Sequence, residues 1–322
     1  MIIVTGAAGF IGSVLAGALN HKGYTNLILV DDFDARPDKN ANWQEKKYVA
    51  KLPRDQVFAY ILENNIEVEA VFHIGAKTDT TLFDKAVFDT LNVAYSQQLW
   101  QLCSKFQIPF LYASSAATYG LGELGYEDNE AKISGLKPLN PYGQSKQDFD
   151  VWALAQPEKP FFWRGFKFFN VYGPNEYHKA RMASVIFHAF KQVKASGTLR
   201  LFRSHNPAYT NGGQMRDFIY VKDLVNVLIY SFENRSTSGI FNLGTGTART
   251  FLELGTQVFK SLGLEPSIDF IDTPADIRDT YQYYTEATVT KLRAAGYAKP
   301  FYTLEQGIDE YVRQYLVEGS YA

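Results

Sequence analysis

Gly6-Ala7-Ala8-Gly9-Phe10-Ile11-Gly12 stands between an apolar run, residues 1–5, and a stretch of helical spacing, residues 10–22. In that stretch Ile11, Leu15, Ala18 and Leu19 fall on one face. A glycine loop joining a strand to a helix is where a dinucleotide phosphate sits. Glycine lets the backbone turn tightly and approach a pyrophosphate, and the helix N-terminus offers unpaired N–H groups and positive dipole. The spacing is GxxGxxG rather than GxGxxG. Glycines also serve helix–strand packing, so the loop draws its weight from standing at the head of an alternating chain.

That alternation runs outward from the loop. Residues 26–31, 70–73, 109–114 and 161–170 read as strands, and residues 54–64, 83–106 and 142–155 as helices. Such a rhythm predicts right-handed βαβ crossovers and an α/β fold of the Rossmann type, a doubly wound parallel sheet. After residue 173 the rhythm loosens. Helices are expected at 182–194, 222–232, 251–262, 285–295 and 303–317, short strands at 199–202, 218–220 and 239–243, and a polar loop at 205–214. Residues 1–173 therefore read as a dinucleotide-binding domain. Residues 174–322 read as a smaller C-terminal α/β substrate lobe, with part of 215–245 returning to the first domain. The interface of the two is the expected ligand cleft.

Composition narrows the function. The 322 residues carry 32 Lys and Arg against 34 Asp and Glu, a net charge of −2 that offers no bulk field to nucleic acid or an anionic membrane. Hydrophobic residues make up 46%, too many for a disordered chain, and no run approaches the length of a membrane span. The lone Cys103 excludes a disulfide scaffold and fits a buried thiol in a reducing, cytoplasmic setting. The high aromatic content reads as core.

Two further clusters carry chemistry. Asp31 and Asp32 end the second strand, where an acidic residue accepts hydrogen bonds from an adenosine ribose and repels a 2′-phosphate. The nearby Arg36, Lys39, Lys51 and Arg54 are placed to neutralise that phosphate, so the residues leave NAD and NADP open. Tyr142-Gly143-Gln144-Ser145-Lys146 puts Tyr and Lys at i and i+4 on one helix face. The ammonium is expected to lower the phenol pKa from about 10. A Tyr so tuned exchanges a proton with a carbinol while hydride moves to or from nicotinamide. Ser114-Ser115 ends a strand 27 residues before that Tyr, and its hydroxyls suit the same substrate oxygen.

The motifs GAAGFIGS, SSAATYG (114–120), YGQSK (142–146), FFNVYGP (168–174), RDFIYVKD (216–223) and FNLGTG (241–246) resemble the extended short-chain dehydrogenase/reductase family. The resemblance spans nearly the whole chain. ASSAATYG, HKARMASVIFH (178–188) and LRAAGYAKPF (292–301) look most like its epimerases of ADP-heptose. That likeness implies transient oxidation at C6 of ADP-D-glycero-D-manno-heptose and return of the hydride to the other face. It implies tightly bound NADP, with NAD the alternative, and no metal. The implied catalytic groups are Tyr142, Lys179, Lys146 and Ser115. Gly6, Gly9, Phe10, Ile11, Gly12, Asp31, Asp32, Lys39, Arg54, Ile74, Gly75, Ala76, Lys77, Asn92 and Lys146 would hold the cofactor. Ser115, Asn170, Val171, Arg181, His188, Phe202, Arg216 and Tyr281 would hold the substrate, Arg216 as a bidentate donor to its pyrophosphate. A homo-oligomer, such as a pentamer, is also implied.

The chain departs from the pattern in four places. It has GAAG for GGAG, Asp31-Asp32 for Asp-Asn, Arg181 for a small Ser, and a longer 205–214 loop. Within enzymes the rivals are a UDP-hexose 4-epimerase and a 4,6-dehydratase. Ala116-Ala117 stands where a dehydratase carries Asp-Glu, and Lys179 answers a need that a 4-epimerase lacks. A non-catalytic cofactor-binding protein typically loses the Tyr or the Lys, and both are present.

Overall fold

The computed structural model describes residues 1–274, 278 and 281–322. Among them, a seven-stranded sheet has the order β10-β6-β5-β4-β1-β2-β3. Its strands are β1 (Ile2–Thr5), β2 (Leu27–Val30), β3 (Ala50–Leu52), β4 (Ala70–His73), β5 (Phe110–Ser115), β6 (Trp163–Phe168) and β10 (Gly239–Leu243). Every pairing is parallel. All of these strands except β3 are buried along their length, which requires helices on both faces. Those helices include α1 (Phe10–His21), α2 (Val57–Asn64), α3 (Tyr95–Lys105), α4 (Pro141–Ala155) and, from later in the chain, α6 (Val221–Glu233). The strand order reverses between β1 and β4, and ligands of open α/β sheets bind in the crevice at such a point.

The rest of the chain builds smaller sheets. β7 (Asn170–Tyr172) pairs parallel with β9 (Met215–Tyr220), which pairs antiparallel with β11 (Ala248–Thr250). β8 (Leu199–Phe202) pairs with β12 (Ile268–Ile271). Helices α5 (Val185–Ser196), α7 (Phe251–Ser261) and α8 (Leu304–Glu310) pack around them. One apolar cluster runs from β1 and α1 through α6 to α8, so this part is welded to the main sheet.

Several elements differ from the sequence expectation. The strand expected at 161–170 spans Trp163–Phe168 in the main sheet and resumes as β7, whose residues change partner from β10 to β9. The helix expected at 285–295 is reduced to Thr290–Ala294. Residues 283–288 instead lie against other backbone: Thr285 donates to Met215 O and Met215 to Tyr283 O. β3, β11 and β12, of three or four residues each, were not expected from the sequence; runs so short carry too few positions to read a strand from. No helix among the described residues is long and apolar enough to cross a membrane. Cys103 is fully buried, and burial pushes its thiol up.

Candidate active site

The loop after β1 closes tightly. Gly6 has a φ of 68°, and a Cβ there would meet Gly75 Cα at 2.6 Å. A Cβ on Gly12 would meet Gly6 O at 2.1 Å. Glycine is required at both. Asp31 braces the loop from the end of β2: its Oδ2 accepts from Ala8 N at 2.9 Å. The first turn of α1 carries no acidic side chain, and Gly9 supplies no side-chain cap. Its N–H groups are thus left for an anion, as the phosphate of a dinucleotide demands. The site fits such a cofactor on this ground.

Positive charge gathers beyond β2. Lys39 Nζ lies 3.5 Å from Asp31 Oδ1, and Arg36 pairs with Asp38 at 2.6 Å while donating to His178 O at 3.0 Å. His178 is held down at about 4 by burial first, then by Lys39, Lys179 and Arg36. Asp32 is exposed, and Arg54 is exposed with its carbonyl taken by Tyr95 OH.

The other wall comes from the segment after β4 and the helix behind it. Asn92 sits in a π-type turn, buried, before α3. Its Oδ1 accepts from Lys77 N at 2.8 Å, and its Nδ2 donates to Lys77 O and to Ser145 Oγ. Residues 74–77 are thereby tied to α4.

A cavity of about 340 Å³ opens at this crossing. Phe10, Ile11, Ile74, Ala76, Ser115, Tyr142, Lys146, Asn170, Val171 and Lys179 all line it, so the structure brings these expected residues together. It adds Thr78, Thr80, Met182 and Ser184, which the sequence reading missed. These lie in irregular segments with no periodicity to betray them.

The candidate reactive groups are set by their elements. Asn140 caps α4, accepting from Gly143 N at 2.8 Å, with Pro141 in the first turn, and this places Tyr142 at the cavity wall. Ser115 ends β5, and its Oγ accepts from Ala117 N at 3.1 Å. Lys146 is buried and donates to Ala113 O at 2.7 Å. Burial draws it down to about 8, opposed by Asp150. The expectation that Lys146 lowers the Tyr142 pKa is corrected here. Burial raises the phenol above its usual 10, and only the Ser115 hydroxyl pulls the other way. Desolvation outweighs that one hydrogen bond.

Lys179 lies in a short 3-10 segment, Tyr177–Met182, with its Nζ 5.4 Å from the Phe10 ring centre. Burial lowers its pKa, against the pull of Glu176. A lysine so placed gives up its proton more readily than a solvated one. The next residue, Ala180, has φ 47° and ψ −125°, a strained backbone for a residue with a Cβ. Glu176, fully buried, holds this segment by accepting from Ser184 Oγ at 2.6 Å and Tyr311 OH at 2.9 Å.

Of the expected substrate residues outside that lining, Arg216, Phe202 and Tyr281 form one group, and His188 and Arg181 lie together in another. Arg216 is buried, its guanidinium 5.6 Å from the Tyr281 ring, and Phe202 is 6.1 Å from Tyr281 edge-on. Arg216 donates to Met215 O at 2.9 Å and to Gln282 O. The 205–214 loop packs here, with His205 N on Tyr283 OH at 3.0 Å and the Tyr209 ring 5.2 Å from that of Tyr283. His188 Nε2 lies 3.3 Å from Arg181 O. Arg181 itself is exposed, and its charge acts on Asp79 in the segment after β4.

A model of the NAD dependent epimerase/dehydratase family matches residues 2–244. A Fusobacterium nucleatum protein named ADP-L-glycero-D-manno-heptose-6-epimerase is 42% identical over the full length of both chains. A Nitratidesulfovibrio vulgaris protein of the same name is 47% identical over 98% of each. Among solved structures, the Helicobacter pylori ADP-L-glycero-D-manno-heptose-6-epimerase superposes with a TM-score of 0.80 at 25% identity, covering 97% of this chain and 95% of its own.

Proposed function

We infer that this chain, which belongs to the NAD dependent epimerase/dehydratase family, converts ADP-D-glycero-D-manno-heptose to ADP-L-glycero-D-manno-heptose by inverting C6. The observation that carries the reading is that Lys179 opens into the same cavity as Ser115, Tyr142 and Lys146. Inversion through a ketone needs a proton taken from the C6 hydroxyl in one orientation and one delivered to the C6 oxygen in another. One fixed side chain serves one orientation, and two proton-transfer groups in one cavity serve both. Tyr142 and Lys179 take these roles. Ser115 holds the reacting oxygen by a hydrogen bond.

When bound, a nicotinamide dinucleotide supplies a reversible hydride acceptor, so that no net oxidation results. We assign its pyrophosphate to Gly6, Gly9, Phe10, Ile11 and Gly12, and its adenosine to Asp31, Asp32, Lys39 and Arg54. The nicotinamide side falls to residues 74–77, Asn92 and Lys146. We favour NADP over NAD, because Lys39 faces Asp31 and offsets the charge that would repel a 2′-phosphate. Asn170, Val171, Arg181, His188, Phe202, Arg216 and Tyr281 are assigned to the ADP-sugar. On this reading residues 1–173 carry the cofactor and residues 174–322 the substrate, with β10 lent back to the main sheet. We further propose a cytoplasmic homo-oligomer, with five copies expected.

The test is an epimerase assay on purified protein. ADP-D-glycero-D-manno-heptose should convert to its C6 epimer, read by NMR, while UDP-glucose is left unchanged. Turnover of UDP-glucose with an inert ADP-heptose would transfer the chain to the hexose 4-epimerases.

A further inference from the structure

The helix that carries Tyr142 and Lys146 continues one turn to Asp150, whose side chain is entirely buried. Its Oδ2 accepts from Ser114 Oγ at 2.6 Å and from Lys167 Nζ at 2.7 Å, and its Oδ1 accepts from Tyr112 OH at 3.0 Å. Lys167, on β6, is equally buried and donates also to Thr118 Oγ1 at 2.7 Å. Thr118 in turn donates to Ser115 O at 2.8 Å. The network therefore reaches the strand end that bears Ser115 by two routes, through Ser114 and through Thr118.

Stability alone does not call for this pair. Two charges withdrawn from water lose their hydration, and apolar residues of similar volume in their place are often as stable. Position supplies the missing reason. Asp150 lies four residues beyond Lys146, on the same helix face. Lys146 is buried, and Asp150 supplies the anionic charge that acts on it. The other groups around Lys146 do not replace that charge. His73, at the end of β4, feels the lysine but is neutral, its Nδ1 2.7 Å from Thr5 Oγ1 and its Nε2 2.8 Å from Ser96 Oγ. The partner from β5 is the uncharged Ala113 carbonyl. Tyr142, on the same helix, is a neutral phenol, and Lys167, on β6, is a cation.

We propose that the buried Asp150–Lys167 pair is a positioning element of the active site: Asp150 keeps Lys146 in its ammonium form, and Lys167 holds Asp150 and the Ser115 strand end in place. The proposal rests on the reading of Lys146 as a working group of the epimerase site. An ammonium there donates to a cofactor ribose as a charged group; a neutral amine does not.

The test follows Lys146 itself. Protein as purified, with 13Cε-labelled lysine, is titrated by NMR without substrate, the Lys146 signal being assigned by its loss in Lys146→Arg. In Asp150→Asn the anion is gone and the Lys167 cation remains, so the Lys146 midpoint should fall by about one pH unit or more. In Lys167→Met the anion is left unbalanced, and the midpoint should rise. The double variant, neutral at both positions, should titrate below wild type but above Asp150→Asn. Lys167→Arg should restore the wild-type midpoint. Shifts of opposite sign in the two single variants support the proposal. Unchanged midpoints, or shifts in one direction only, overturn it. Should Asp150→Asn fail to fold by circular dichroism, Lys167→Met and the double variant carry the same opposition. If wild type fails to epimerise ADP-heptose, the substrate reading falls, and this titration still decides the Asp150 role.

Discussion

Tyr142 is the residue on which the proposed chemistry turns, and in the protein alone burial favours its protonated phenol. Burial raises it above 10, with Ser115 the opposing influence. Tyr142→Phe removes the proton-transfer group while keeping the ring. The epimerisation rate should fall by about 10²–10⁴-fold with cofactor content unchanged. A rate near wild type would take Tyr142 out of the mechanism. Ser115, Tyr142 and Lys146 were legible together because helix spacing and a strand end are local facts. Lys179 was legible only through resemblance, since its 3-10 segment has no period and its neighbour Phe10 is far away in the chain. Asp150 was missed although it stands four residues after Lys146. An acid on a helix reads as a solvated face until β6 is seen to bring Lys167 against it.

Helix α4 is the element that aims these groups, and its start is fixed by Asn140. Asn140→Ala would leave Gly143 N without its side-chain acceptor at the turn that holds Tyr142. Unfolding in urea should show a loss of about 1 kcal/mol. An unchanged midpoint would mean that Pro141 and tertiary packing set the helix start alone. The βα alternation up to residue 173 was readable because buried parallel strands are continuous apolar runs and their helices are amphipathic. The stretch 283–288 was not, because its hydrogen bonds go to β9 and Tyr126 rather than along its own chain.

At the scale of the whole molecule, stability should fall in acid. His73 is held at about 3, well below its ordinary 6.5, by burial first and then by Lys146. The unfolded chain therefore binds a proton that the folded chain refuses between these values. Stability from this residue is complete above pH 6.5 and is lost as pH falls toward 3, at about 1.4 kcal/mol per unit. His178, held at about 4, acts in the same sense. Asp223 acts oppositely: burial raises it to about 6, so folding gains as pH falls from 6 toward 3.8. Burial raises Asp128, Glu176 and Asp217 in the same sense, each from an ordinary value near 4. Both histidines give up stability from 6.5 downward, so urea unfolding should show lower stability at pH 5 than at pH 7. His73→Gln should shrink that difference; the same difference in the variant would assign it elsewhere.

By itself the sequence determined the class of fold, the glycine loop at its head and the Tyr142–Lys146 pair, because each follows from spacing within one or two elements. Gly6 and Gly12 declare a close approach wherever the chain folds, and i, i+4 residues meet on any helix. Only the tertiary structure decided what the charges do. Whether Lys146 meets the Ala113 carbonyl, whether Lys167 meets Asp150, and whether Lys179 shares the cavity all depend on strands and loops distant in sequence. Desolvation and pairing set a buried charge, and neither exists until the chain has closed around it.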